Sequence, residues 1–303
     1  MTDTGKEGMI MNIAQAENIV KGCWSLDCPS EEDLERCHRA LDFLVDRTGD
    51  PEWMLEAGGW YYREKDFEKA VYYYTLSAER GNVTAMTCLG YAYMYGNGVD
   101  TDYPRAFRYY SSAASCGDLT AAYKVADMYM WGMGVEEDRE LAADLIRQLY
   151  EKVKDLTGLA EPVPQIFVRM AELVMEQKGA KRVREAKRLL SHARSFLARR
   201  LSEASWWGDI RVMQRIIDDW YRLVPFDYSE FDLYDLMHLL REPVTVTFLL
   251  YGEKYSVTSS EGGIGFEGKG FSDIEDFFYN ASVDEEKLTS AYYDIYMLGV
   301  EYE

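Results

Sequence analysis

Four residues near the N-terminus are of the types that bind zinc: Cys23, Cys28, Cys37 and His38. Structural zinc sites usually take thiolates from pairs that only about two to four residues separate. Here four residues separate the first two cysteines, eight separate the next two, and no second close pair follows. Burial of free thiols between two packed helices fits this spacing better, so we predict no metal site.

A glycine-rich segment at 263–270 nearly matches the loop that cradles nucleotide phosphates. The match fails at Gly270, where that loop needs a serine or threonine hydroxyl for magnesium, and Glu267 would place negative charge against the phosphates. Ile264 and Phe266 alternate with small residues instead, which is typical of a short strand. Nucleotide binding is therefore not predicted, and no other cofactor is indicated.

The three histidines, His38, His192 and His238, lie in separate segments of the chain. A catalytic triad is defined by geometry and not by sequence order, so histidine positions alone neither require nor exclude one. Since no nucleophile lies in a recognisable catalytic turn, we predict that the protein is not an enzyme.

Charge is distributed unevenly along a chain whose formal net charge is −20. Nine Lys or Arg and one Glu lie at 178–200, whereas 19 acidic and five basic residues lie at 218–303. The basic residues at helical spacing are Lys181, Arg184, Lys187, Arg188 and Arg194. They offer an alternative function, anion or nucleic-acid binding, although the net negative field disfavours nucleic acid. We favour a solvated helix face, or one that docks on the acidic C-terminal module at 243–303.

Several residues recur at a spacing of 36 positions, beginning with Ala70, Ala106 and Ala142. The other recurrences are Ala78 with Ala114, Gly81 with Gly117, Tyr93 with Tyr129, Gly96 with Gly132, Gly98 with Gly134, Val99 with Val135, and Asp102 with Asp138. A fixed period of this length is typical of stacked helix pairs that bury their apolar faces against one another. We predict repeats at 51–82, 83–118 and 119–153, each with a helix A, a loop and a helix B.

The second repeat shows the pattern most fully. Its helix A contains Leu89, Gly90 and Tyr93, and a glycine-x-glycine-valine loop at 96–99 precedes helix B. Small residues let helix backbones approach, and the loop glycines allow positive φ after a helix end. These residues resemble the Sel-one-like repeat, the longer relative of the tetratricopeptide repeat. The resemblance covers about half of the chain, with a degenerate fourth repeat to about residue 201.

The resemblance implies a mostly α protein, a right-handed α-α superhelix that scaffolds protein complexes and catalyses no reaction. In such a superhelix helix A lines the concave face, where a peptide or a partner helix binds. The residues that the packing pattern leaves free on that face are Trp60, Arg63, Tyr91, Tyr95, Tyr123, Asp127 and Trp131. Because Tyr and Trp are enriched at binding hot spots, we predict an aromatic groove with one carboxylate. The alternative for each ring is that it fills space between repeats.

Four parts follow from these patterns: a helical cap at 1–50, repeats at 51–201, capping helices at 202–242 and a small α+β module at 243–303. In the cap, Ser30 and Asp33 are spaced to start the second helix. In the module, alternation over Val244–Leu250 predicts a β-hairpin, and a third strand and two helices follow.

No apolar run is long enough to cross a membrane, and residues 1–12 lack the basic start and apolar centre of a secretory signal. Five cysteines, an odd number, suit a reducing compartment. We expect a cytoplasmic, bacterial protein with a protein or peptide partner, and the sequence leaves the oligomeric state open.

Overall fold

The computed structural model describes residues 11–24, 30–156, 162–177, 181–203, 207–223, 232–250, 253–283, 286–291 and 295–302. Packing divides the chain into two compact units, Met1–Leu145 and Ile146–Glu303, with the boundary inside the last helix of the third predicted repeat. Within the described residues, no helix combines the length and the apolar character that a bilayer crossing requires.

The first unit opens with a helix pair, α1 at Ile13–Trp24 and α2 at Glu31–Thr48. The Ser30 hydroxyl accepts a hydrogen bond from the backbone N–H of Asp33 at 3.2 Å, and the Asp33 carboxylate accepts one from the backbone N–H of Ser30 at 3.1 Å. This reciprocal cap confirms the predicted start of the second helix.

Three helix pairs follow, and they confirm the predicted repeats. Their helices are α3 at Pro51–Arg63, α4 at Phe67–Glu79, α5 at Val83–Tyr95, α6 at Tyr103–Ser115, α7 at Leu119–Trp131 and α8 at Arg139–Val153. An Asp or Asn side chain accepts a backbone hydrogen bond at the start of each: Asp50, Asp66, Asn82, Asp102, Asp118 and Asp138. Each cap is worth about 1 kcal/mol, so these residues determine where the helices begin.

Inside a repeat, a glycine of helix A lies against a tyrosine ring of helix B. A Cβ built on Gly58 would lie 2.5 Å from the Tyr74 ring, and one on Gly90 would lie 2.7 Å from the Tyr110 ring. Tyr110 is 1% exposed. The two helices therefore approach as closely as they do because these positions lack a side chain.

The loop glycines of one repeat contact the preceding repeat. Gly96 ends α5 in the left-handed conformation at φ 74°, and Gly98 also has a positive φ, 75°. A Cβ on Gly98 would lie less than 3.0 Å from the Phe67 carbonyl oxygen at the start of α4. Gly134, at φ 70°, makes the same approach to Tyr103 at the start of α6. The second and third repeats therefore each contact the preceding repeat main chain to main chain, through a loop glycine.

The second unit continues with α9 at Val163–Glu176, α10 at Lys181–Glu203 and α11 at Trp207–Leu223. α10 packs against both α9 and α11. The helix pair α9–α10 agrees with the predicted degenerate fourth repeat in secondary structure.

Within the predicted capping helices, the spacing of Ser229 and Asp232 predicts one helix at 231–240; Ser229 and Phe231 lie outside the described residues. The described part holds instead a 3-10 turn at Leu233–Asp235 and the short helix α12 at Leu236–Leu239. The expected helix is therefore wrong in its length and its start. The cap is Asp232, whose side chain accepts a hydrogen bond from the Tyr234 backbone N–H.

A five-stranded antiparallel sheet forms the core of the C-terminal part, in the order β4-β3-β2-β1-β7. The elements are β1 at Val244–Leu250, β2 at Glu253–Ser260, β3 at Gly263–Phe266, β4 at Lys269–Phe271, α13 at Ile274–Asn280, β5 at Ser282–Val283, β6 at Glu286–Lys287 and β7 at Ile295–Tyr302. The predicted hairpin (β1–β2) and third strand (β3) are confirmed. The glycine-rich segment 263–270 is itself the hairpin β3–β4, turning at Glu267 (φ 49°) and Gly268 (φ 73°).

The prediction of a last helix is wrong. Its apolar stripe was Leu288, Ala291, Tyr292, Ile295 and Leu298, of which Tyr292 lies outside the described residues. A 3-10 turn at Leu288–Ala291 and strand β7 are found instead, and β7 pairs with all seven residues of β1. Helix propensity over 295–302 is low, because Tyr, Ile and Val favour strands and Gly299 weakens a helix. Pairing with β1 therefore outweighs the helical spacing.

Candidate functional site

A row of aromatic side chains extends over the A helices of the three repeats. α3 contributes Tyr62, α5 contributes Tyr91 and Tyr95, and α7 contributes Tyr123 and Trp131; we call these five residues the ring row. The exposed fractions are 37% for Tyr62, 38% for Tyr91, 51% for Tyr95 and 44% for Trp131. Large rings that remain this exposed on adjacent helices are candidates for partner contact.

Three rings of the row, Tyr62, Tyr91 and Tyr95, contact one another in sequence. The Tyr62 and Tyr91 rings meet edge to face with centroids 6.5 Å apart, which links α3 to α5. The ring centroids of Tyr91 and Tyr95, which are one helical turn apart, lie 4.4 Å from each other. The Asn97 side-chain amide donates to the Tyr62 hydroxyl at 3.4 Å. Burial, and then the adjacent Tyr91, raises the pKa of Tyr62 to about 12. Tyr62 is therefore neutral at pH 7.

Lys124 joins α7 to this row. Its Nζ donates a hydrogen bond to the Tyr95 hydroxyl at 3.2 Å and lies 5.6 Å from the Tyr95 ring centroid and 5.0 Å from that of Tyr123. Burial opposes the charge of Lys124, but Tyr123, Tyr95 and Asp127 outweigh it and raise the pKa of the ammonium. Lys124 is therefore a half-buried cation held between two tyrosines.

The predicted groove residues do not all lie on the exposed face. Tyr91, Tyr95 and Trp131 are exposed, as expected. Asp127 is only 5% exposed, so the carboxylate predicted for the groove surface lies beneath it.

Trp60 was also expected in the groove, and that expectation is wrong because it is 1% exposed. It packs in a cluster with residues of α1 and α2, such as Cys37 and Leu41, and the exposed Arg63 guanidinium stacks over it at 5.4 Å. The sequence contained the signal: when Gly58 is aligned with Gly90, Trp60 falls on Ala92, a buried position.

Tyr62, a member of the ring row, and Lys124, which contacts two of its rings, were not predicted. On the same alignment Tyr62 corresponds to Met94, which is 6% exposed. The repeat pattern therefore predicts that Tyr62 is buried. In the structure it is 37% exposed, unlike its equivalent in the second repeat. Lys124 could have been found, because it lies beside Tyr123 and one turn before Asp127 on the same helix.

The cysteine-rich N-terminal segment forms part of the core. Cys23 and Cys37 are 5% and 0% exposed, while Cys28 lies outside the described residues. Desolvation raises the pKa of the Cys37 thiol, which keeps it protonated. His38 places Nε2 3.0 Å from a Glu64 carboxylate oxygen. Among the described residues, no group of three metal-ligating side chains comes together.

The basic helix α10 uses part of its charge internally. Arg194 was expected among the anion-binding residues, but its guanidinium contacts the carboxylates of Asp232 at 2.6 Å and Asp235 at 3.0 Å. The Lys187 ammonium lies 5.1 Å from the Trp220 ring centroid. The assignment of Arg194 to an exposed stripe is therefore corrected.

The other three predicted basic residues, Lys181, Arg184 and Arg188, are exposed on α10. They stay candidates for anion binding, whereas the charge of Arg194 is paired with Asp232 and Asp235, which follow α11. Asp232 and Asp235 lie in the segment predicted as capping helices, ahead of the C-terminal module, so docking of the basic face on that module stays a prediction.

Capped helix pairs at a constant period, joined by glycine loops that rest on the preceding pair, define a helical-repeat protein. Residues 48–82, 83–118 and 119–152 each match the model of the Sel1 repeat. The chain thus contains three Sel1 repeats, and such repeats generally act as scaffolds for protein–protein interaction.

Two solved structures illustrate the similarity. One is a Sel1 repeat protein from Oxalobacter formigenes, at 18% identity over 72% of this chain and 80% of that chain, with a TM-score of 0.47. The other is a protective antigen with an SLR fold from uropathogenic Escherichia coli, at 18% identity and a TM-score of 0.46, with 70% of this chain covered and 50% of that one. The chain thus spans half of that antigen's length. No curated protein matches the chain.

Proposed function

We propose that the protein is a non-catalytic scaffold that holds a peptide or a partner helix along the ring row. The observation that carries this proposal is the continuity of the row: aromatic side chains follow one another over α3, α5 and α7, with a ring contact from α3 to α5 and the Lys124 ammonium linking α5 to α7. Such rings supply large contact area at a small loss of rotamer freedom, which makes them effective binding anchors.

The support of the row is rigid. Tyr95 ends α5 immediately before the Gly96 cap, and Trp131 ends α7 immediately before the Gly132 cap, so both rings stand at equivalent positions. The close contacts of Gly90 and of the loop glycines fix the spacing of these helices. A bound segment therefore meets a preorganised surface, which reduces the entropic cost of association.

The compartment belongs to the same proposal. Cys23, Cys37, Cys88 and Cys116 are free thiols in the structure, which suits a reducing cytoplasm. The bacterial origin, the four-part domain plan and the superhelix with a concave groove remain predictions.

The test is the double variant Tyr95→Ala/Trp131→Ala, used as bait in parallel with the wild-type chain. Both side chains are about half exposed, so we expect nearly unchanged helicity and melting temperature but loss of the proteins that the wild type retains. The matched control is Tyr72→Ala/Tyr103→Ala, which removes rings of 58% and 42% exposure from the B helices.

Equal retention by the wild type and the ring-row variant would refute the proposal. Equal losses in the ring-row variant and the control would refute it as well, since the rings would then act through general hydrophobicity.

A further inference from the structure

We infer that the ring row recognises a partner segment in which one internal acidic residue, flanked by apolar side chains, binds Lys124. This inference rests on the proposed function and specifies the chemistry of its partner. Three features of the row lead to it: the donors around Lys124, the place of Lys124 within the row, and the charge of the chain.

The donors around Lys124 suit a carboxylate. An ammonium can only donate hydrogen bonds, so the Tyr95 oxygen accepts from Lys124 and must direct its own proton elsewhere. Tyr95 is 51% exposed, so this proton is available to a ligand. A carboxylate oxygen could accept from the Lys124 ammonium and the Tyr95 hydroxyl together, and a charged partner makes both hydrogen bonds stronger than neutral ones.

The ammonium is held ready for such a contact. The Lys124 ammonium lies 5.0 Å from the Tyr123 ring centroid and donates to the Tyr95 hydroxyl, and the nearby buried Asp127 favours its charge. Lys124 is thus restrained by groups of its own chain, which reduces the rotamer entropy that a surface lysine would lose on binding.

The place of Lys124 makes the acidic residue internal to the bound segment. Lys124 lies on α7 and contacts Tyr95 of α5 as well as Tyr123 of its own helix. Tyr62 and Tyr91 continue the row onto α3 and α5, and Trp131 follows Lys124 by seven residues on α7, which corresponds to about 10 Å along the helix axis. A segment that covers rings of both α5 and α7 therefore passes Lys124 at an interior residue, and its apolar side chains pack on the rings.

The charge of the chain limits the number of acidic groups. A net charge of −20 repels an acidic run, and among the described residues Lys124 is the one cation found between tyrosines of the row. One carboxylate among apolar residues combines local attraction with little overall repulsion.

The probe is a library of random peptides selected on the immobilised full chain, followed by removal of every peptide that also binds Tyr95→Ala/Trp131→Ala. The remaining peptides depend on the ring row by construction. We expect them to be enriched in a single Asp or Glu between apolar residues. The strongest binders are then titrated against the wild type, Lys124→Met and the matched control Lys152→Met, an exposed lysine on α8.

Lys124→Met should weaken binding about tenfold or more, as expected for loss of a charge-assisted hydrogen bond, and Lys152→Met should leave it unchanged. Replacing the peptide Asp or Glu by its amide should weaken binding to the wild type but not to Lys124→Met. If Lys124→Met fails to fold, as judged by circular dichroism, the amide series on the wild type and on Lys124→Arg carries the test.

The outcomes separate the two proposals. Row-dependent peptides that lack acidic enrichment, or that bind Lys124→Met as well as the wild type, overturn the inference and leave the proposed function standing. A selection that yields no row-dependent peptide counts against both.

Discussion

Gly98→Ala is the substitution that most directly tests how the repeats are joined. The residue has a positive φ of 75°, and its Cα lies so close to the start of α4 that an added Cβ would be less than 3.0 Å from the Phe67 carbonyl oxygen and the Glu68 nitrogen. Alanine would therefore have to strain its backbone and also push the second repeat away from the first.

The two contributions can be separated with controls from the same chain. Gly49 has φ 62° and Gly117 has φ 94°, and an added Cβ would meet nothing within 4 Å at either. Alanine at such φ costs about 1–2 kcal/mol, which the reduced freedom of the unfolded chain offsets by about 0.4–1 kcal/mol. The controls should thus lose between about 0 and 1.6 kcal/mol. Overpacking adds about 1–3 kcal/mol at Gly98, which gives a total of about 1–5 kcal/mol.

Urea unfolding followed by circular dichroism, with each variant measured beside the wild type, provides the comparison. Because φ at Gly98 lies between the values at Gly49 and Gly117, backbone strain alone predicts a loss between those of the two controls. A Gly98→Ala loss inside that interval would refute the claim that the glycine is needed for contact between repeats.

Two further substitutions address charges in the second unit. Burial, and then the nearby Glu172, raises the pKa of Asp219 to about 6. Between about pH 4 and pH 6 the folded state therefore binds more protons than the unfolded state. The free energy of unfolding consequently falls as the pH rises through that window. Asp219→Asn should remove this pH dependence, so the free energy of unfolding of the variant, measured in urea, should rise by about 1–3 kcal/mol relative to the wild type from pH 4 to pH 7. The same difference between variant and wild type at both pH values would contradict this. Arg194→Met leaves the buried Asp235 carboxylate without its ion pair and should lower the free energy of unfolding by about 3 kcal/mol. The double variant Arg194→Met/Asp235→Asn should recover part of that loss. If thermal melts show no recovery, the ion pair does not contribute as proposed.

The repeat architecture was predictable because it depends on local rules that the sequence states repeatedly. Asp and Asn side chains cap helices through their own backbone neighbours, and glycines take positive φ wherever a helix must end. These signals act within a few residues, so they can be read without knowledge of the tertiary structure. The same holds for the predicted strands of the C-terminal part, where apolar residues alternate.

Predictions failed where a distant partner decides the outcome. The stripe over 288–298 has helical spacing, but β1 offers a complete row of hydrogen-bonding partners from a segment more than 40 residues earlier. Trp60 faces α1 and α2, which the repeat pattern does not include. For the site, the ring types were predictable, but the exposure of Tyr62 and the position of Lys124 between two tyrosines required the structure.

The two joints between repeats are made by the same pair of positions, Gly98 on Phe67 and Gly134 on Tyr103, each pair 31 residues apart. A duplicated copy of 83–118, placed directly after the original, would therefore meet a main-chain surface to which it is already matched. Gene duplication by unequal recombination would therefore lengthen the protein by one repeat at a time. Each added repeat would contain another pair of tyrosines equivalent to Tyr91 and Tyr95. The length of the partner segment that such proteins can bind would then change by one repeat at a time and not continuously.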